Sequence, residues 1–131
     1  MPTNTQIQSA FASQLHAFAS GESLTVAWQG DKTPTDGKEL FLEMMFMPND
    51  YDPFLGDARD IKRGMFQVNV VGRKKKTSSA ELQAVADLIV AEWPKLTPIT
   101  GTVQVTRTPY IMGMIESDSR NTLPVTIEYH E

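Results

Sequence analysis

The chain has 131 residues, a formal net charge of −4 at pH 7 and no cysteine. One domain of this size buries roughly two-thirds of the surface of its unfolded chain, so folding requires neither a disulfide nor a metal. The acidic balance argues against general nucleic-acid binding. No apolar run approaches the ~20 residues of a membrane span, and no secretory signal opens the chain, so we expect a soluble domain made in the cytoplasm.

The first predicted element is a helix followed by a short strand. Apolar residues recur on one stripe of a 3.6-residue period at Ile7, Phe11, Leu15 and Phe18. Thr3 or Asn4 can cap this helix, and Gly21 supplies a stop near its end. Residues 24–28 then alternate as a strand, and residues 30–38 are rich in turn formers.

Two strong strand signals, residues 39–47 and 64–72, are separated by the sixteen residues 48–63. Structureless connections longer than roughly 12–15 residues are uncommon in compact domains and are usually functional or disordered. This one carries apolar side chains among charges of both signs. They are Tyr51, Phe54, Leu55 and Ile61. A loop that leaves the domain and docks on another protein would need them, whereas a solvated linker would not.

A basic turn, residues 73–76, leads into the second helix. Ser78 and Glu81 fit a capping box, and Pro94 ends the helix. Its buried stripe is predicted to be Leu82, Val85, Ala86, Ile89 and Trp93. Strands follow around Val103 and over residues 122–129. Pro124 suggests a strand start or a sheet edge there.

The order α-β-β-β-α-β-β predicts an α+β fold. We expect a mostly antiparallel or mixed sheet of about five strands with both helices packed on one face. The other face would be open to solvent or to a partner. No internal repeat or low-complexity tract divides residues 1–131, so one domain is predicted.

A search for catalytic and cofactor motifs finds little. His16 and His130 have no neighbouring ligand at metal spacing, and no phosphate loop, HExxH or GxSxG is present. The acidic residues of the long loop lack the spacing of a calcium loop. Residues 73–76 fit a turn with solvated charges, with nucleic acid or an acidic protein surface as the functional alternative. The sequence therefore predicts no enzyme, no cofactor and no metal.

Residues 109–115 form a second apolar segment, interrupted by Gly113 and followed by a polar turn. The segment carries Tyr110, Met112 and Met114. Thioether side chains fill irregular gaps and also suit adaptable interfaces. The segment is either an irregular strand over the core or a contact with a neighbouring subunit, since exposed apolar patches usually mark contact sites.

The whole layout resembles the tail terminator proteins of long-tailed bacteriophages, including the lambda-like minor tail proteins and related prophage families. An N-terminal helix precedes a strand ending in Trp28, and Tyr51-Asp52-Pro53 lies in the long loop. Arg63-Gly64 opens the next strand, and the second helix ends in Trp93-Pro94. Residues 105–109 and 123–127 complete the pattern, which spans nearly the whole chain.

The resemblance implies a structural role without catalytic residues. Such proteins assemble as rings, typically hexameric, on the growing end of the tail tube, stop its polymerisation and present a surface for head attachment. The implied partners are further copies of the chain, the tail tube protein and the head–tail connector protein. DNA passes through the ring without specific binding. The implied location is the virion tail, assembled in the host cytoplasm.

Candidate contacts follow from apolar exposure on irregular backbone. A closed ring needs two different patches on each subunit, and we assign them to residues 48–63 and 109–120. The contact residues predicted are Tyr51, Phe54, Leu55, Ile61, Arg63, Tyr110, Met112 and Met114. The alternative is a small α+β ligand-binding or enzymatic domain that uses the polar sheet face and the acidic loop, which requires titratable groups gathered in a concave site. A nucleic-acid module built on the basic residues is a third interpretation.

Overall fold

A computed structural model describes residues 2–30, 39–49 and 62–131. Within these ranges the chain forms two helices and eight strands. In chain order they are Asn4–Gly21 (α1), Val26–Trp28 (β1), Leu40–Pro48 (β2), Arg63–Arg73 (β3), Ser79–Glu92 (α2), Pro98–Thr100 (β4), Val103–Val105 (β5), Tyr110–Ile111 (β6), Ile115–Glu116 (β7) and Arg120–His130 (β8).

The strands form one mixed sheet in the order β1-β2-β3-β8-β5-β4, and β6 and β7 also pair with β8. β1 runs parallel to β2, and the other pairs are antiparallel. The α+β class and the first five elements agree with the sequence prediction. The prediction of about five strands was too low, and the predicted order lacked β4, β6 and β7.

Strands β6 and β7, which the predicted order lacked, are short and separate because their partner strand β8 contains Pro124. The Met112 N–H donates to the Pro124 C=O at 2.9 Å, but proline has no N–H with which to return the bond. The ladder along β8 is therefore weakened at this point, and the neighbouring segment pairs as two strands of two residues on either side of Gly113. Strands of two residues are too short to show an alternation of apolar and polar residues in the sequence.

Both helices pack on one face of the sheet. The side chains buried there come from α1, α2 and the inward positions of β2, β3, β5 and β8. The Phe11 ring of α1 stacks on Phe66 of β3, with centroids 3.9 Å apart. Trp93, at the end of α2, contacts Phe11 and donates through its indole N–H to the Gln14 side-chain oxygen at 3.0 Å. These contacts tie the two helices to each other and to the sheet.

The helix predictions are largely confirmed. Thr3 caps α1, and its capping box with Gln6 supplies partners for two backbone donors at the helix start. In α1 the residue that completes the buried stripe is Ala19, whereas the predicted Phe18 is half-buried. The Ser78 hydroxyl accepts from the Glu81 N–H at 3.2 Å and starts α2.

The two ends of the sheet differ in how they are held. At one end, which we call the loop end, the Asn49 N–H donates to the Arg63 C=O at 2.8 Å, so strands β2 and β3 stay paired at the base of the long loop. At the opposite end, which we call the turn end, the Lys74 N–H donates to the Ser119 C=O at 3.1 Å. The β3–α2 and β7–β8 turns are therefore neighbours.

Gly64 allows a close approach at the loop end. A Cβ atom placed on this residue would lie 2.6 Å from the Tyr129 hydroxyl and 2.7 Å from the Met47 carbonyl oxygen. Carbon atoms do not approach that closely without displacement of the neighbours. A glycine is therefore required where β3 begins between β2 and β8.

Candidate assembly surface

The sheet face opposite the helices, which we call the open face, is arranged in rows that cross β2, β3 and β8. In the described part of the chain no helix packs on it. Strand pairing places the following residues side by side: Met47, Met65 and Glu128; then Met45, Gln67, Thr126 and Tyr110; then Glu43, Asn69 and Pro124; then Phe41, Val71, Thr122 and Ile115. The corner at Phe41 and Val71 is buried.

Exposed apolar side chains gather on this face. Five large apolar side chains are exposed among the residues that the structure describes, and three of them belong to the open face. These are Met45, Met112 and Ile115, with exposed fractions of 38%, 49% and 59%. Two of the three lie on the interrupted edge formed by β6, β7 and the residues between them. An exposed apolar edge of this kind is typical of a protein contact site.

Hydrogen bonds fix the polar side chains between the methionines. Gln67 donates to the Asn69 side-chain oxygen at 2.8 Å, and the Asn69 amide lies 3.9 Å from the Met45 sulfur. The Thr126 hydroxyl donates to the Met112 sulfur at 3.6 Å. Because a thioether is a weak acceptor on a flexible chain, it can satisfy these donors and still change shape against a partner.

Two ion pairs involve residues of the open face. Arg120 lies 3.9 Å from Glu43, and Arg107 lies 3.8 Å from Glu128. The Arg107 guanidinium also sits over the Tyr110 ring, 4.9 Å from its centroid. These charges are partly exposed and contribute little stability individually. Glu43 and Glu128 each belong to one of the rows described above, so these charges lie among the apolar side chains of the open face. Protein interfaces commonly combine polar and apolar groups in this way.

The predicted contact residues fall in different places. Tyr110 is half-buried and Met112 is exposed, both on the open face, and Arg63 is exposed at the loop end. Met114 is partly buried and packs against the core on the helix side. The remaining predicted residues, Tyr51, Phe54, Leu55 and Ile61, lie outside the described residues.

Met45 and Ile115 are surface residues that the sequence prediction did not select. A signal for Met45 existed, because Phe41, Met45 and Met47 interrupt the polar side of the second predicted strand. Ile115 lies at the end of the apolar segment 109–115. Its orientation depends on pairing with Thr122 of β8, which local periodicity does not reveal.

A groove of about 450 Å³ lies at the loop end, between the start of β3 and the end of β8. Arg63, Thr106, Glu128 and His130 line it together with backbone of β3, and Thr106 Oγ1 lies 2.8 Å from His130 Nδ1. Among the residues described, no three His, Cys, Asp or Glu side chains gather as metal ligands. Neither α1 nor α2 has the length and apolarity to cross a bilayer.

The fold and this surface define a class of protein: an α+β domain whose sheet, over the part of the chain that the structure describes, has one face without a helix and an interrupted edge with exposed apolar side chains. A family model described as phage tail terminator protein matches residues 6–129. The chain therefore belongs to the phage tail terminator family, as its sequence layout suggested, and the family gives it a role in phage tails.

A protein of known structure that is 26% identical has the same fold. The match covers 99% of this chain and 96% of that one, with a TM-score of 0.79. It brings no functional description with it and supports the fold over the whole length. No protein with a curated description matched the chain.

Proposed function

We propose that this protein is a tail terminator without enzymatic activity, formed by residues 1–131 as one domain. Copies of the chain assemble as a ring, typically a hexamer, on the end of the tail tube. The ring stops tube polymerisation and provides the surface for head attachment. Membership of the tail terminator family over residues 6–129 carries the proposal, and the exposed apolar side chains of the open face support it.

The two contact patches of each subunit are the long loop, residues 48–63, and the segment 109–120. A ring is built from heterologous contacts, so the two patches must differ. The loop leaves the loop end of the sheet, and residues 117–120 lie at the turn end. Residues 110–112 lie between these two ends along β8. A patch that extends from there to the turn end differs from the loop patch and suits head-to-tail contact between neighbouring subunits. Tyr51, Phe54, Leu55 and Ile61 supply the apolar part of the loop patch, and Tyr110, Met112 and Met114 belong to the other.

The partners are other copies of the chain, the tail tube protein and the head–tail connector protein. The protein is placed in the virion tail after assembly in the host cytoplasm. The net charge of −4 fits a ring through which DNA passes without adhering.

Tail length tests the proposal. We expect deletion of the gene from its phage or prophage to give overlong tail tubes without attached heads, measured by negative-stain electron microscopy. Expression of the intact chain in trans should restore uniform length and head attachment. Tails of normal length with heads in the deletion strain would reject the proposal.

The groove at the loop end is the feature that the alternative, a small ligand-binding domain, would use. It holds one carboxylate, one guanidinium and one imidazole, with the imidazole already bonded to Thr106. Substituting His130→Ala separates the two functions. Tail-length complementation should persist if the chain is a terminator, whereas a ligand-dependent function would be lost.

A further inference from the structure

Among the described residues, two exposed large apolar side chains lie outside the open face, one on α2 and one in the turn that follows it. Leu88 and Leu96 have exposed fractions of 44% and 55%. Leu88 and Glu92 are four residues apart and share one side of the helix. Leu96 follows the helix with a positive φ of 73°, which is unusual for a leucine, and its N–H donates to the Val105 C=O at 2.9 Å. Hydrogen bonds within the subunit close this turn, since the Thr97 N–H also donates to the Pro94 C=O at 3.0 Å. It is therefore the exposure of the Leu88 and Leu96 side chains that suggests a contact outside the subunit. We call Asp87, Leu88, Glu92 and Leu96 the α2 surface.

The acidic residues of the α2 surface include one that is unfavourable for the helix that carries it. Glu92 is the last residue of α2, and the last turn contains no basic residue. The C-terminal end of a helix carries partial negative charge, so a carboxylate there is unfavourable and a cation from outside is favourable. In the described ranges neither Asp87 nor Glu92 forms an ion pair, although Asp87 accepts a hydrogen bond from the Gln83 side chain at 3.0 Å. The exposed Lys95 follows Glu92 by three residues without forming an ion pair with it. The α2 surface is therefore suited to a cationic partner.

The chain itself contains such a cationic partner in Arg73–Lys76, the four consecutive basic residues between β3 and α2. We call these residues the basic turn. The Lys76 and Thr77 N–H groups both bond to the Arg73 C=O, and the Thr77 hydroxyl donates to the Glu39 C=O at 2.9 Å. Because these bonds hold the backbone, little further ordering is needed when the turn binds a partner. The tip residues Lys75 and Lys76 are exposed.

The basic turn cannot reach the far end of the α2 surface within one subunit. The turn immediately precedes α2, whereas Glu92 ends it, so the helix separates them by about 20 Å. Trp93 and Leu96 continue toward β5, whose Val105 pairs with Tyr129 at the loop end. α2 therefore runs from the turn end to the loop end. Glu92 and Leu96 lie at the opposite end of α2 from the basic turn, with Asp87 and Leu88 between that end and the turn. The basic turn can therefore reach Glu92 and Leu96 only between copies, head to tail.

We propose that the α2 surface of one subunit is covered by the basic turn of a second copy of this chain. The assignment rests on the proposed ring and specifies one of its contacts. The turn is continuous with the segment 109–120 already assigned to assembly, since Lys74 bonds to Ser119 and Arg73 is the cross-strand partner of Arg120. Leu88 and Leu96 provide the apolar part of the contact, and the charges set its direction.

Disulfide trapping tests the contact directly, because the natural chain contains no cysteine. The variant carrying Lys76→Cys and Glu92→Cys replaces the natural chain in the deletion strain, and purified tails are oxidised. A disulfide requires Cα atoms roughly 4.4–6.8 Å apart, so bonding within one subunit is excluded by the length of α2. We expect a ladder of covalent multimers of this chain from the double variant and monomers from each single variant.

Charge reversal tests the same contact without cysteines. The tip variant combines Lys75→Glu with Lys76→Glu, and the helix variant combines Asp87→Lys with Glu92→Lys. Each should reduce the number of correctly terminated tails on the order of tenfold or more, because like charges then face each other. All four substitutions together should restore termination. Glu22→Lys is the matched control, since Glu22 is an exposed acid at the C-cap of α1, and it should terminate tails normally.

The outcomes separate this inference from the proposed function. If the natural chain fails to restore tail length, the terminator function itself is wrong. If it restores tail length but the double-cysteine variant stays monomeric, or crosslinks to another virion protein, the α2 contact is wrong. Termination that is lost in the tip variant and not regained in the fourfold variant would assign the basic turn to a different partner such as DNA, and would also overturn the inference.

Discussion

Gly64→Ala is the most direct test of how the loop end is built. The added Cβ would meet the Tyr129 hydroxyl at 2.6 Å, the Met47 carbonyl oxygen at 2.7 Å and the Pro48 Cα at 2.9 Å. Two of these atoms are backbone, so rotation of a side chain cannot relieve the overlap. Strand β3 has to shift relative to β2 instead.

The expected cost follows from two opposing effects. Overpacking typically destabilises by about 1–3 kcal/mol, and replacing glycine stabilises by about 0.4–1 kcal/mol through the unfolded chain. The net loss is therefore about 1–2 kcal/mol. For a domain of this length that lowers Tm by roughly 4–8 °C. Urea unfolding followed by circular dichroism, together with a thermal melt, measures both quantities.

Two further variants make the reasoning refutable. Gly113→Ala is the matched control, because a Cβ there meets nothing within 4 Å, and it should be neutral or slightly stabilising. Tyr129→Phe removes the hydroxyl contact, so combined with Gly64→Ala it should recover only part of the loss, since the Met47 carbonyl remains in place. If Gly64→Ala melts like Gly113→Ala, the close packing of β2, β3 and β8 at the loop end is wrong.

Three other predictions concern the helices and the open face. Trp93→Phe should lower the free energy of unfolding by about 1–2 kcal/mol, because it leaves Gln14 without the indole donor at 3.0 Å; a loss no larger than that of a surface substitution would contradict this. Glu92→Lys and Glu22→Lys should each raise the free energy of unfolding by about 0.3–1 kcal/mol at low salt, because a cation is favourable at a helix C-terminus. This gain should disappear when unfolding is measured at high salt. Met112→Asp, at an exposed position, should leave the melt of the isolated chain unchanged but fail to restore tail length, and normal tails would remove Met112 from the assembly surface.

The sequence predicted the elements whose signals are local. Strands β2 and β3 lie within one residue of their predicted limits, because alternation over nine or more residues is unambiguous. The stripe on α2 was recovered for the same reason, with Leu82, Ala86 and Ile89 buried. Strands β6 and β7 were left out of the predicted order, although an irregular strand was one of the two interpretations of residues 109–115, because their pairing depends on β8. A pair of residues has no period of its own, and the effect of Pro124 on its neighbour is visible only once the register is known.

The residues exposed on the open face were selected from the sequence only in part, and their role in assembly stays a prediction. Apolar residues on irregular backbone led to Met112 and Tyr110, which the structure places on the open face. The same pattern also selected Met114. Its side chain is partly buried and packs against the core, as that of Ile111 does. Met45 was missed because its exposure depends on which strand face the helices cover. That choice is made by tertiary packing and not by the strand itself.

The composition of the open face would allow one surface to serve both a free subunit and the proposed ring. Leucine or phenylalanine in place of Met45 and Met112 would promote association of free chains, whereas flexible thioethers reach an apolar partner at a lower cost of exposure. Ile115, the third of these exposed apolar side chains, is not a thioether. The polar rows between them already have internal partners, as Gln67 bonds to Asn69 and Asn69 to Met45. When a partner covers this face, fewer polar groups lose their hydrogen bonds to water without a replacement than on an ordinary polar surface. Binding can therefore be weak per subunit and still become strong when several copies close a ring on one tube, because each further contact forms at high effective concentration.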